Sequence, residues 1–250
     1  AGALNACSVG AVFSPVTSYE SDAFASFFKY VERQGLQLTM PVPGQTLALG
    51  SATVQFLTPL KEYENVNDAS VILRVTYGQT SFVFAGDAES AAERDLVEAG
   101  NAQPATLLKV GHHGGATSTS QLFLEAILPQ YAVISVGAEN TYGHPAEETL
   151  ARLADIGATI YRTDLCGHIL CRSNGQSLTF ATQKNAGPFA SAPEPQSAGE
   201  SPYIGNQNSM KFHSADCPSV NDMNEENKVA IATREEALAL GYAPCKRCNP

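Results

Sequence analysis

Apolar and polar positions along this chain change rhythm repeatedly. Ala11–Ser14 is a brief extended run ended by Pro15. Phe24, Phe27, Phe28 and Val31 then recur at i, i+3, i+4 and i+7, one face of a helix that opens near Ser21-Asp22 and stops at Gly35. That stripe is expected in the core. From Leu36 to Leu60 the pattern is of short strands punctuated by Pro41, Pro43-Gly44 and Gly50-Ser51. Val71–Tyr77 and Ser81–Ala85 read as a hairpin about Gly78-Gln79. The run Phe82-Val83-Phe84-Ala85 is apolar throughout, as in a strand buried on both faces.

Strand and helix patterns alternate from there. Ser90 is a candidate cap for a helix over 91–99 closed by Gly100, and Leu107–Val110 reads as a strand. A helix over 120–128 is stopped by Pro129, and Tyr131–Val136 is the next strand. Pro145 falls at the first position of a helix whose apolar side is Leu150, Leu153 and Ile156, ended by Gly157. Strands near Thr159–Tyr161, His168–Arg172 and Leu178–Phe180 complete the series. Such repetition predicts an α/β layered domain over residues 1–182. Residues 183–202 are rich in Ala, Ser, Pro, Gly and Glu and read as a linker, and 203–250 as a second domain.

A chain of 250 residues with 44% apolar and 16% charged positions has room for one medium globular domain and a small one. No apolar run nears the roughly 18 residues of a membrane span. The formal charge is −10. Residues 1–202 carry 10 Lys and Arg against 19 Asp and Glu, and residues 203–250 carry 5 against 6. The first domain therefore lacks a broad basic surface for nucleic acid. A phosphate substrate there would be held by metal ions or a local patch. Cys166 and Cys171, if on one extended strand, are about 16 Å apart, too far for a disulfide.

The chemistry gathers at strand ends. The run Leu107-Leu108-Lys109-Val110-Gly111 stops at His112-His113 and breaks into Gly114-Gly115. Two adjacent imidazoles in a glycine loop serve packing poorly and metal binding well. Asp87, after another buried run, is placed to bridge metal ions. Asn67-Asp68-Ala69-Ser70 and Tyr142-Gly143-His144-Pro145 flank these motifs. His168 alternates with apolar residues and is expected on an exposed strand face.

Taken in order, Asn67–Ser70, Phe84-Ala85-Gly86-Asp87-Ala88-Glu89, Leu108–Gly114, Tyr142–Pro145 and Tyr161-Arg162-Thr163-Asp164 with Gly167 resemble the metallo-β-lactamase-fold domain of the competence protein ComEC. The secreted hydrolases related to it are more similar still. The resemblance implies an αββα sandwich, here partial and lacking its first strands, with two divalent metal ions (Zn or Mn). It implies that Asp87 bridges the metals, His112 is a terminal ligand, and His113 orients it or touches substrate. His144 would stand near the substrate oxygens as an imidazolium, while Asn67 and Ser70 would back the ligands. The superfamily's His-x-His-x-Asp-His cluster is missing: the five histidines are 112, 113, 144, 168 and 213, and no pair has the i, i+2 spacing. The sequence begins Ala1-Gly2-Ala3-Leu4, and the expectation is of a fragment that starts just after that cluster, inactive alone and with an unpaired sheet edge.

In the tail, His213-x3-Cys217 and Cys245-x2-Cys248 have the spacing of a structural zinc site in a small α+β domain. Thr233-Arg234-Glu235-Glu236 reads as a capping box for a helix that ends at Gly241 and presents Cys245 and Cys248 to the metal. Gly241-Tyr242 and Pro244-Cys245-Lys246-Arg247-Cys248-Asn249-Pro250 resemble the zinc-binding domain of the Ada DNA-repair protein. There the first of four cysteines accepts a methyl group, and His213 stands in its place here. A structural or DNA-docking module is what remains, with Lys211, Lys246 and Arg247 as its cations. The expected function is a metal-dependent phosphodiesterase or nuclease acting on DNA, extracellular or at the cell surface. A hydrolase of a small ester and a non-catalytic DNA-binding protein acting through the tail are the alternatives.

Overall fold

The computed structural model describes residues 2–189, 203–215, 217–231 and 234–248. The chain divides into two compact units, residues 1–191 and 192–250.

The first unit begins with α1 (Gly2–Ala6), β1 (Val12–Phe13), α2 (Asp22–Arg33) and β2 (Leu38–Thr39). A sheet of seven strands follows, in spatial order β3 (Thr46–Leu49), β4 (Ala52–Phe56), β5 (Leu73–Tyr77), β6 (Thr80–Phe84), β7 (Leu107–Lys109), β8 (Tyr131–Ile134) and β9 (Thr159–Arg162). The first four strands run antiparallel, whereas β6 to β9 run parallel. Parallel neighbours need a crossover. The helices α3 (Ser90–Glu98), α4 (Gln121–Ile127) and α5 (Glu147–Asp155) supply those crossovers.

All three helices pack on one face of the sheet. Ala92 and Leu96 of α3, Phe123, Leu124 and Ile127 of α4, and Leu153 of α5 bury against Ile72, Val83, Leu108, Ala132, Ile134 and Ile160. Period-two alternation sends their neighbours to the opposite face. There Phe13 meets Phe56 at 4.8 Å between centroids, and Phe180 meets Tyr131 and Tyr161 at 4.8 and 4.5 Å. Phe180 belongs to the hairpin of β10 (Ile169–Ser173) and β11 (Leu178–Thr182), which follows the short helix α6 (Thr163–Cys166). The second layer of the expected sandwich is thus two separate two-stranded ribbons, β1–β2 and β10–β11, among the described residues.

Several local expectations are corrected. Phe84 is 41% exposed, so β6 is not buried on both faces. Of the α2 stripe only Val31 is buried, and the three phenylalanines pack on one another, Phe24 at 5.8 Å from Phe27 and 6.5 Å from Phe28. Ser90 is the first helical residue of α3, not its cap. The cap is non-local: Asp68 Oδ1 accepts the amides of Glu89 and Ala92 at 3.0 and 3.1 Å. Pro145 lies outside α5, whose N-cap is Ala146. The first unit also continues past Thr182, since Phe189 donates its amide to Ile160 O and its ring lies under the Arg162 guanidinium. Residues 190–202 of the expected linker lie outside the described residues. His168 is exposed and precedes β10.

The second unit is a four-stranded sheet in the order β14 (Lys228–Ile231), β12 (Tyr203–Asn206), β13 (Lys211–Ser214) and β15 (Ala243–Pro244), with α7 (Pro218–Asn221) and α8 (Arg234–Ala239). Phe212, Ile231, Ala237 and Tyr242 form its small core. The expected capping box starts at Thr233, outside the described residues. Cys245 and Cys248 are delivered by β15 rather than by the helix, because Ala243 and Pro244 pair with Lys211 and Phe212 and Cys245 N donates to Phe212 O at 2.9 Å.

Candidate functional site

Because β6, β7 and β8 are parallel and adjacent, their carboxyl ends open on one edge of the sheet, where α/β folds place ligand sites. Asp87 follows β6, His112 and His113 follow β7, and His144 lies in the loop after β8. The structure brings all four to that edge. The His112 and His144 rings are 5.4 Å apart between centroids, and His113 Nε2 is 3.6 Å from Asp87 Oδ1.

The loops are held by backbone, and at a conformational cost. Both histidines take left-handed backbone, φ 45° at His112 and 55° at His113. Non-glycine residues rarely adopt that conformation unless the surroundings enforce it. His112 N donates to Gly86 O at 3.0 Å and His112 O accepts from Gly115 N at 2.8 Å, which ties the turn to the end of β6. Ser118 Oγ donates to Gly111 O at 2.9 Å from below. Beneath the loop, buried Glu93 accepts the amides of Thr119 and Ser120 at 2.6 and 2.7 Å. Burial raises the Glu93 pKa against those hydrogen bonds and the nearby Arg152. Arg152 in turn donates from Nε to Thr119 O at 2.9 Å.

The segment 67–70 lies directly against the turn after β6. Ser70 Oγ accepts the Asp87 amide at 3.1 Å, and Asn67 Nδ2 donates to Glu89 Oε1 at 2.8 Å. Neither side chain hydrogen-bonds to His112, His113 or His144. Gly86 is left-handed at φ 59°, and a Cβ there would lie 3.0 Å from Ser70 Cβ, so glycine admits the close approach. Lys109, one position before Val110, donates from Nζ to Val110 O at 2.8 Å. Burial lowers its pKa, with the Asp87 charge acting the other way.

His113 Nδ1 lies 2.7 Å from Ser135 O, an acceptor, so that nitrogen carries the proton. His144 is framed by Asn140, which donates to His144 O at 2.7 Å and accepts its amide at 3.0 Å. Burial, then the adjacent His112 and His113, lower the His144 pKa below the ordinary imidazole value. The ring therefore favours its neutral form in the metal-free chain. Tyr142 stacks on it at 5.9 Å and 20°, and is itself 81% exposed. These residues, with Val136 and Gly137, line a cavity of about 200 Å³. A larger one of about 580 Å³ between Pro15, Met40, Leu60 and Tyr63 contains no imidazole.

Glu89, Asp68 and Tyr142 lie within the sequence motifs without a role of their own there, and Asn140 lies outside them. The signal for Glu89 was its place two residues after Asp87 in the turn; Asp68 had none, because its partners are distant.

The two units differ in how they suit a metal. His213, Cys217, Cys245 and Cys248 place their ligand atoms within 4.8 Å of one another, with the first three buried. One imidazole and three thiols at that spacing fit a tetrahedral ion. His213 Nδ1 is 3.5 Å from Cys217 Sγ, and burial, then Lys211, lower the His213 pKa toward the neutral form that ligation needs. This is the one such cluster of three or more among the described residues. Asp87, His112, His113 and Glu89 do not close on a point in that way. What fits a metal there is a partial shell, the carboxylate of Asp87 with the part-exposed imidazole of His112.

These features define an α/β domain with a strand-end histidine and aspartate site, joined to a small Cys/His metal module. Residues 15–138 match the metallo-beta-lactamase superfamily, and residues 189–250 match the metal binding domain of Ada. The chain therefore joins a metallo-β-lactamase domain to an Ada-like metal-binding domain. Competence protein ComA of Neisseria gonorrhoeae is 40% identical over 116 residues, 45% of this chain and 17% of that protein. ComE operon protein 3 of Bacillus subtilis (strain 168) is 30% identical over 149 residues, 59% of this chain and 19% of that protein. The chain thus spans less than a fifth of the length of these curated relatives. The solved structure of CmlA, a diiron beta-hydroxylase from Streptomyces venezuelae, aligns with 17% identity and a TM-score of 0.42, over 62% of this chain and 38% of that one. No helix among the described residues is long and apolar enough to cross a membrane.

Proposed function

We propose that the first unit is the catalytic region of a metal-dependent phosphodiesterase that cuts DNA outside the cell or at its surface. The second unit, held by zinc, helps to hold the strand. The reading is carried by the convergence of Asp87, His112, His113 and His144 at the ends of three adjacent parallel strands. The relatives named as competence proteins point the same way. Two divalent ions, Zn or Mn, would supply Lewis acidity and a water of lowered pKa when bound. Asp87 and His112 would hold them, with Asp87 kept in place by the Ser70 hydroxyl on its amide. His113 keeps Nδ1 on Ser135 O and turns Nε2 toward Asp87 and the substrate. His144 lends an N–H to a phosphoryl or leaving oxygen. Its lowered pKa favours the neutral donor over the imidazolium that the resemblance implied. In the tail, Lys211, Lys246 and Arg247 are the cations available to phosphates.

The ligands present make a partial shell, so the 250-residue chain alone is expected to be inactive. The first test is the coding sequence ahead of Ala1: a His-x-His-x-Asp-His segment there supports the reading, and its absence overturns it. With that segment present, the protein plus Mn²⁺ or Zn²⁺ should cut single- or double-stranded DNA, and Asp87→Ala should abolish cutting. A second reading, hydrolysis of a small ester or phosphodiester, is favoured by the small cavity beside His113 and His144. DNA left intact while bis-p-nitrophenyl phosphate is hydrolysed would select it. Binding of DNA by the tail without hydrolysis of either substrate would mark a non-catalytic protein.

A further inference from the structure

His112 Nδ1 is buried and makes no hydrogen bond, although the His112 side chain as a whole is 28% exposed. The open part of the ring is therefore the side away from Nδ1. Glu89 Oε1 lies 3.4 Å from that nitrogen. This carboxylate is itself held: Asn67 Nδ2 donates to the same oxygen at 2.8 Å. Its own amide is held by Asp68.

We propose that Glu89 is a positioning residue: it takes the Nδ1–H of His112 and leaves the Nε2 lone pair on the open side of the ring as a ligand for a divalent ion. The state of one imidazole nitrogen is set by what the other bonds to. The left-handed backbone at His112, pinned to Gly86 O, keeps Nδ1 within 3.4 Å of that carboxylate oxygen. Asn67 then acts one step further out, by orienting Glu89 rather than by touching substrate. The consequence for metal binding rests on the proposed hydrolase reading, but the tautomer does not.

The experiment reads the tautomer directly. The 250-residue chain, labelled with ¹⁵N-histidine, is observed by long-range ¹H–¹⁵N correlation without added divalent metal, at about pH 8.5, where imidazoles are neutral. The His112 signals are identified by their loss in His112→Asn, asparagine being tolerant of left-handed backbone. His112 is expected as the Nδ1–H form in the parent chain. Glu89→Ala should move it to the Nε2–H form that free imidazoles favour, and Glu89→Gln, which keeps an acceptor oxygen, should restore Nδ1–H. An Nε2–H form in the parent chain overturns the proposal, and so does an Nδ1–H form that survives in a folded Glu89→Ala. If Glu89→Ala fails to fold, the parent chain and Glu89→Gln still decide. In the active protein, Glu89→Ala should raise the Mn²⁺ concentration for half activity about 10–100-fold. The tautomer as expected with no such shift would leave the positioning intact and count against His112 as a ligand.

Discussion

Gly114 meets Pro145 so closely that a Cβ added to the glycine would lie 2.7 Å from the proline Cβ. Ala146 N donates to Gly114 O at 2.8 Å in the same contact. Through it the His144 loop docks on the His112 loop, and Pro145 serves this docking rather than the start of a helix. Gly114→Ala should therefore cost more than its backbone conformation alone. Gly100→Ala is the matched comparison, left-handed at φ 69° but with nothing within 4 Å. We expect about 1 kcal/mol at Gly100 and at least about 2–3 kcal/mol at Gly114, read by urea denaturation. Equal losses would mean that the loops are not held together at this point.

The hydroxyl of Ser70 is the side-chain partner of the Asp87 amide, at 3.1 Å. Ser70→Ala removes one neutral hydrogen bond, worth about 1 kcal/mol, or about fivefold in a local opening equilibrium. Amide exchange at Asp87 should accelerate by that factor, while exchange in the buried strand around Leu108 stays unchanged. No acceleration would show that the turn is held by other contacts.

The parts of the site that were legible in the sequence are those written in local pattern. The apolar run Leu107–Val110 ends at glycine and histidine because the strand ends there, and parallel order follows from helices between strands. Distant pairings left no such trace. Asp68 caps α3 from outside the helix, so the sequence offers Ser90 instead, a residue of the right type one position too late. Glu89 carries no motif of its own: only the fold turns its carboxylate to His112. In the tail the ligand spacing was plain, yet the pairing of β15 with β13 that aligns Cys245 beside His213 involves two residues per strand, too few to show a period. The Phe stripe of α2 has perfect helical spacing, which says which face is apolar and not how deeply that face is covered.

Glu93 makes stability depend on pH in a stated direction. Its folded pKa lies above the ordinary carboxylate value because of burial. Below about pH 4.3, the unfolded value, both states are protonated and its contribution is fully present. As pH rises through the folded value the unfolded chain has already lost its proton, so this contribution is lost. Glu93→Gln removes the titration. The difference in unfolding free energy, parent minus variant, should fall with rising pH across that window and level off above it. A difference that rises with pH would mean that the amides of Thr119 and Ser120 outweigh burial.

Metal removal should act on the tail alone. Its core of Phe212, Ile231, Ala237 and Tyr242 is small, and Cys217 and Cys245 are buried in a second cluster with Val220, so the ligands are themselves part of the packing. A domain of this size draws much of its folding free energy from the ion. One zinc per chain is expected by elemental analysis in this unit, and a strong chelator should collapse the dispersed signals of Phe212 and Tyr242. Signals of Leu108 and Ile134 in the first unit should not move. Acid should imitate the chelator, because the lowered pKa of His213 belongs to a ring that must be neutral in the folded state. Its contribution is present above the unfolded value and disappears as pH falls through the folded one. Cys245→Ser should shift loss of zinc to higher pH. Retention of the tail fold after complete metal removal would show that the packing suffices without the ion.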